Sequence, residues 1–264
     1  MSEPTGTPIA AIGHAAGSAD VVLRFDSDPG DFGICELCGG WYGSLGPEFT
    51  LYGDGKVITK YGRTQAPSAE GPIIRGLPFM IADLDEVEVQ ELLRFALGEG
   101  GLGAASESYE TSTDTDDPTL STFVVRAGDL DKRIDIHGPN PFEAFVDYLR
   151  DFAARSDTST EVWVPDRYWG LLIEASSWIE VEVVPAPPET AIVAWPWEGI
   201  PPWVVGTAMD PVDENGRRVM SRAEASVLGL SDNGGVVQQV YLRGPDGETI
   251  YSFSLWPMLP DEAG

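Results

Sequence analysis

Hydrophobic and polar positions along the chain alternate so as to mark a series of short strands and two well-signalled helices. Residues 21–25 (VVLRF) form an apolar run fit for a strand, and a stretch rich in glycine and aspartate, 26–46, follows it. The clearest local pattern is EFTLYGDGKVITKY at 48–61. Two β-rich arms flank Gly53-Asp54-Gly55, and a glycine in so tight a loop supplies the positive φ that a hairpin needs. Residues 83–97 predict a helix. Asp83 and Glu86 stand at capping-box spacing, Val89, Leu92, Leu93 and Ala96 form one apolar stripe, and Gly98 and Gly100 end it. A polar loop at 104–118 leads to strands at 121–126 and 133–137 around a Gly-Asp turn. A second helix is signalled by Asn140 as cap, Pro141 at the first helical position and Glu143, with Phe142, Phe145, Val146, Leu149 and Phe152 along one face.

Residues 21–155 therefore predict β–ββ–α–ββ–α: an α+β fold, with an antiparallel sheet carrying two helices on one face. The polar stretch AARSDTSTE at 153–161 marks a linker, and beyond it the pattern changes. Seven of the eight tryptophans lie at 163 or later. Strand-like runs at 168–173, 178–184 and 191–195 are separated by proline-rich turns. A short helix is expected at 222–228, with Ser221 as cap and Glu224 three residues on, and a closing hairpin (236–242 and 249–255) turns on Pro245-Asp246-Gly247. The expected division is a flexible leader at 1–20, an α+β domain at 21–155 and a smaller β-rich, tryptophan-containing domain at 162–264.

Composition changes this picture in one respect. Forty-three acidic residues against 16 basic ones give a formal charge of −27, and the excess is shared by both halves. Such a field repels phosphate backbones and anionic headgroups, so no nucleic-acid partner is expected, while a basic protein, a cation or a neutral ligand stays open. It also keeps a protein in solution. No stretch approaches the roughly 20 apolar residues of a membrane span, so no direct membrane insertion is expected. Residues 1–20 carry neither a basic n-region nor a long apolar core, so the sequence read alone fits a cytoplasmic protein or the mature part of an exported one.

Candidate chemistry is sparse. Cys35 and Cys38 form a C-x-x-C pair, but a structural zinc site needs four ligands, and the two histidines are His14 and His137. A redox pair belongs at a helix N-terminus, whereas Gly39-Gly40 follow directly. The pair is read as structural: a local disulfide if exported, two thiols if not. Asp135 and His137 share a strand face, yet no nucleophile elbow accompanies them. Asp114, Asp116 and Asp117 cluster in a loop that lacks the frame of a calcium site. Phosphate-binding loops are absent, and no metal, cofactor or catalytic residue is expected. Trp163, Trp169, Trp178, Trp195, Trp197 and Trp203 are suited either to line a ligand cleft or to fill a small core. Of these Trp195, Trp197 and Trp203 are the candidate ligand-binding residues, because Pro196 sets that segment at an edge or turn.

Several segments taken in order (DVVLRF at 20–25, FTLYGDGKVI at 49–58, VQELLRFALGEGGL at 89–102, AWPW at 194–197 and WPMLPDE at 256–262) resemble a group of bacterial proteins of uncharacterised function, commonly exported or lipid-anchored. The N-terminal half is also similar to a domain of unknown function that carries C-F-G-x-C-P ahead of a DG hairpin; here that segment is FGICELC, with the cysteines displaced. The resemblance implies a cell-envelope location and a non-enzymatic scaffold that binds a ligand or protein. The alternative from charge is a cytoplasmic acidic inhibitor or immunity-type protein that masks a basic partner.

Overall fold

The computed structural model describes residues 10–28, 34–35, 40–41, 46–60, 71–110, 120–154, 160–175, 187–203, 217–229 and 235–263. Over these residues the protein is a mixed α/β structure in which strands outweigh helices, and two principal sheets carry most of it.

In chain order, β1 (Val21–Asp28) extends the expected apolar run by three residues, and β2 (Ile34–Cys35) pairs with β3 (Gly40–Trp41) as a separate two-stranded ladder. The hairpin then forms where the pattern placed it, as β4 (Phe49–Tyr52) and β5 (Lys56–Thr59), with Leu51 opposite Val57. Of its two loop glycines Gly55 takes the left-handed conformation, at φ +85°. Its amide donates to the Tyr52 carbonyl at 3.1 Å. A Cβ at Gly55 would lie 2.5 Å from the Leu84 carbonyl oxygen, so turn geometry and close approach both demand glycine.

Strands β6 (Ile74–Arg75) and β7 (Met80–Asp83) precede α1 (Glu86–Leu97). Then come β8 (Ser108–Glu110), β9 (Leu120–Ala127), β10 (Leu130–His137) and α2 (Glu143–Ala154). The second half contributes β11 (Glu161–Val162), β12 (Arg167–Glu174), β13 (Ile192–Ala194), β14 (Arg217–Ser221), the one-turn helix α3 (Arg222–Ser226), β15 (Val237–Arg243) and β16 (Ile250–Pro257).

The larger sheet runs β11-β7-β5-β4-β1-β9-β10-β8, and the smaller runs β13-β15-β16-β12-β14 with β6 added against β15. Two short strands therefore cross the expected domain boundary. β11, at the far end of the linker, pairs with β7, and β6, from before it, pairs with β15.

Three cores follow from the strand faces. The first gathers Leu23, Phe25, Phe49, Leu51, Phe123, Val125, Ile134 and Ile136 with Leu92, Leu93 and Ala96 of α1 and Phe145, Leu149 and Phe152 of α2. The second packs Leu172, Val240, Leu242, Phe253 and Leu255 with Trp197 and Trp203. A third joins the halves: Val21, Tyr52, Ile58 and Phe79 meet Val236 and Leu259. One bulge helps to build it. The β1–β4 register slips between Val21 and Leu23, which puts Val22 and Leu23 in the first core while Val21 turns to the third. The same seam holds a polar clasp. Asp261 accepts from Arg24 Nη2 at 2.6 Å and from the Tyr52 hydroxyl at 2.8 Å. Burial first, then the Asp261 charge, pushes the Tyr52 phenol far above its ordinary value. The Arg24 guanidinium is raised despite its burial, because Asp261 and Tyr52 favour the charged form.

Three local expectations need correction. Asp83 does not cap α1: it pairs with Lys56 as the last residue of β7, which holds it extended. Asp85 is the cap. Its Oδ1 accepts from the Glu88 amide at 2.9 Å, and Glu88 Oε2 accepts from the Asp85 amide at 2.8 Å. Overlapping Asp-x-x-Glu spacings made the two indistinguishable by pattern. Asn140 does accept from the Phe142 amide at 2.8 Å, but α2 begins only at Glu143. The leader is also anchored from residue 12. The Ile12 amide donates to Gln90 Oε1 at 2.7 Å and the Ile12 carbonyl accepts from Gln90 Nε2 at 2.8 Å. The Gly128 amide donates to the Gly13 carbonyl at 2.7 Å, and His14 bridges to Ala127. A buried glutamine on a helix face needs such partners, and the leader backbone provides them. Residues 1–9 and the expected strand at 178–184 lie outside the described residues. By contrast, the capping box of Ser221 with Glu224 forms as read.

Candidate functional site: the tryptophan cleft

The site is built by a parallel strand pair. β13 runs parallel to β15, with Ala194 level with Arg243. Both strands therefore leave the smaller sheet at the same end, and the segment 195–201 emerges beside 243–245. Between them lies a cleft of about 700 Å³, lined by Trp195, Pro196, Trp197, Glu198, Ile200, Arg243 and Pro245, among others. That volume falls in the range of ligand-binding clefts, roughly 300–1,000 Å³.

The walls are fixed by aromatic packing. Trp195 and Trp197 meet edge to face with ring centroids 5.1 Å apart, and Trp195 also stands against Trp203 and Tyr251 at 6.1 and 6.0 Å. Trp197 and Trp203 both contact Phe253. Each indole N–H is spent on a backbone carbonyl: Trp195 on Ile200 at 2.7 Å, Trp197 on Glu224 at 2.8 Å and Trp203 on Gly170 at 3.3 Å. The Trp195 bond closes its own loop, whose bend passes through Gly199 at φ +75°. Opposite, a Cβ on Gly244 would come within 2.9 Å of Tyr251 Cε2, so the bare glycine lets the ring lie against the turn.

The three sequence candidates thus occupy one cluster with unequal exposure. Trp197 and Trp203 are buried, at 4% and 2% exposed, and act as core. Trp195 is half-buried and lines the cleft. The charge around it is mostly negative. Glu198 lines the cleft and is exposed, and Asp246 and Glu248 are exposed on the adjoining turn. Arg243 is tied to Glu189, whose carboxylate oxygens accept from Nη2 at 2.6 and 2.8 Å. Hydrogen bonds from the Thr249 hydroxyl and the amides of Glu248 and Thr249 hold the Asp246 carboxyl below its ordinary range.

Elsewhere in the smaller sheet the indoles already carry cations. Arg217 lies 4.5 Å over the Trp169 ring, and Arg218 lies 5.1 Å over Trp203 while donating to Glu224 at 2.7 Å. Burial raises the Glu224 carboxyl, but the bonds from Ser221 and Arg218 outweigh it and leave the group below its ordinary value.

The remaining candidates are placed separately. Asp135 accepts from Arg133 Nε at 2.8 Å and from the Thr122 hydroxyl at 2.9 Å, a structural ion pair on the sheet face. His137 ends β10 and is exposed. Cys35 lies in β2 opposite Gly40 of β3; its side chain, Cys38 and the aspartates at 114, 116 and 117 lie outside the described residues, as does Trp178. Among the described residues no group of three or more His, Cys, Asp or Glu side chains is placed to hold a metal ion, and no helix is long and apolar enough to cross a membrane. Lys60 is a half-buried lysine that the sequence did not single out. Burial lowers its pKa against the pull of Asp26 and Glu48, and its Nζ donates to the Gly46 carbonyl beside the Phe79 ring.

Glu189, Glu198 and Arg243 carry no signal in the sequence, and Pro245 is marked there only as a turn residue. Their juxtaposition depends on the parallel β13–β15 register, which leaves no periodicity in either segment. Comparison of the chain with family models, curated proteins and solved structures finds no match in any of the three.

Proposed function

We propose that the protein is a non-catalytic binding scaffold that engages its ligand through the cleft at Trp195, with Trp197 and Trp203 holding that ring in place. The observation that carries this reading is an open cleft with a rigid, half-exposed indole whose N–H is already satisfied, so that the ring is offered for face contact. In this reading the scaffold is an α+β layer with both helices on one face of the larger sheet, followed by a smaller tryptophan-containing β-rich region. The sequence resemblance adds a cell-envelope setting. A second reading, an acidic inhibitor that covers a basic partner, is favoured by the net charge of −27. Ionic strength separates the two, because binding by charge complementarity weakens steeply as salt rises.

The test follows the indole signals of isotope-labelled tryptophan in the full chain while a library of sugars, aromatic fragments and short peptides is added. Shifts concentrated at Trp195 support the cleft, and shifts confined to tryptophans outside the cluster refute it.

A further inference from the structure

Resting on the cleft reading above, we infer that the ligand is an extended, arginine-bearing peptide segment of a basic protein, with a guanidinium seated over Trp195 and paired to Glu198. Three indoles lie in or against the smaller sheet, Trp169 in β12 and Trp195 and Trp203 in the segment packed on it. Trp169 and Trp203 each have an arginine over the ring, and the arginine on Trp203 is also held by a carboxylate, Glu224. Trp195 has the ring and has a carboxylate, Glu198, in the same cleft, but among the described residues no cation stands over it. The arginine that lines the cleft, Arg243, is held by Glu189.

Charge around the cleft agrees. Glu198 and Arg243 are the charged side chains of the lining; Glu189 is bonded to Arg243, and Asp246 and Glu248 are exposed on the turn that follows Pro245, within a chain of net charge −27. A guanidinium suits this site better than an ammonium, because it stacks on an indole face and presents a planar fork to a carboxylate. The shape specifies an extended segment. Pro196, Ile200, Pro201 and Pro245 give apolar walls to an open trough, and β13, whose last residue Ala194 opens onto it, is the outermost strand of its sheet among the described residues. An extended chain lies along such an edge.

The experiment titrates the full chain with three capped octapeptides of alternating proline and arginine, proline and lysine, or proline and glutamine, and with a neutral oligosaccharide. The readouts are calorimetry and the Trp195 indole signal. The arginine peptide is expected to bind most tightly and to shift Trp195. Glu198→Gln is expected to weaken it about fivefold, of the size measured for exposed cation–π and ion-pair contacts. Trp195→Ala is expected to abolish the effect, while Glu99→Gln, an exposed charge on the other half, leaves binding unchanged. Glu198→Gln keeps the test valid should Trp195→Ala fail to fold. Arginine-peptide binding insensitive to Glu198→Gln, or lost equally with Glu99→Gln, overturns the inference in favour of diffuse surface charge. Tighter binding of the glutamine peptide or the oligosaccharide with a Trp195 shift overturns the cationic ligand but keeps the cleft. No shift at Trp195 with any probe overturns the inference and counts against the cleft itself.

Discussion

The two sheets are covered in different ways. The larger is packed by two twelve-residue helices, α1 and α2, whose phenylalanines and leucines interlock with the strand faces. Among the described residues the smaller has the five-residue α3 as its one α-helix and uses an irregular segment, 195–203, that lays Trp197 and Trp203 against Phe253. A helix satisfies its own backbone while it covers a sheet. A loop cannot, so it must bring large rigid side chains, and each indole N–H then needs an acceptor. The difference teaches why the cleft lies where it does. A loop that covers a sheet with rings leaves one of them, Trp195, only half enclosed, whereas Leu92, Leu93 and Ala96 of α1 and Phe145 and Leu149 of α2 are fully enclosed.

The largest effect expected in a test of this contrast is from Phe123→Ala. That ring stacks on Phe25 at 4.7 Å and meets Phe142 and Phe145, so its removal should cost about 3–5 kcal/mol, measured by denaturant unfolding. Because the third core joins the halves, circular dichroism and tryptophan fluorescence should follow one coincident transition. Two separated transitions would show the halves to be independent. Asp261→Asn attacks the seam directly. It leaves the Arg24 charge and the Tyr52 hydroxyl poorly matched, at a cost of about 1–3 kcal/mol, and should pull the two probes apart.

Ser221→Ala is a smaller change, confined to the loop-covered half. Ser221 and Glu224 form a capping box, so about 1 kcal/mol is expected, with the Trp197 indole disturbed because it bonds the Glu224 carbonyl. At high pH the seam reports on itself. The raised Tyr52 pKa means that the folded state favours the protonated phenol, so this contribution is complete below pH 10.0 and is lost as pH rises beyond it. Tyr52→Phe should flatten that alkaline limb in a stability-versus-pH series. The smallest effect concerns Asp246. Its lowered pKa gives stability present above the unfolded carboxylate range and lost as pH falls through the folded value. Asp246→Asn should remove that acid-side slope, so that the variant falls slightly below the parent at neutral pH and the two converge in acid.

The larger sheet was the more legible in the sequence, because alternation and helical periodicity act over runs long enough to register. The 49–59 hairpin and the apolar stripe of α1 belong to it. The 221–226 cap and the turn on Pro245-Asp246-Gly247 were legible for the same local reasons. What escaped were non-local arrangements: two-residue strands too short to carry a period, and the parallel register of β13 with β15. The cluster of Trp195, Trp197 and Trp203 was visible as composition. Which ring faces the cleft was not, since that depends on residues at 170 and 253 brought in by other strands and at 224 brought in by α3.

The exchange of β6 and β11 has a consequence for heredity. Modules that shuffle between genes are those whose contacts close within one continuous stretch of chain. Here each sheet borrows a strand from the other half, so a recombination event at the polar stretch near residue 155 would deliver two pieces, each lacking one strand of its sheet. Exchange of one half alone would leave β7 and β15 each without a paired neighbour, so substitutions along β6–β15 and β7–β11 are expected to accumulate as matched pairs across the boundary.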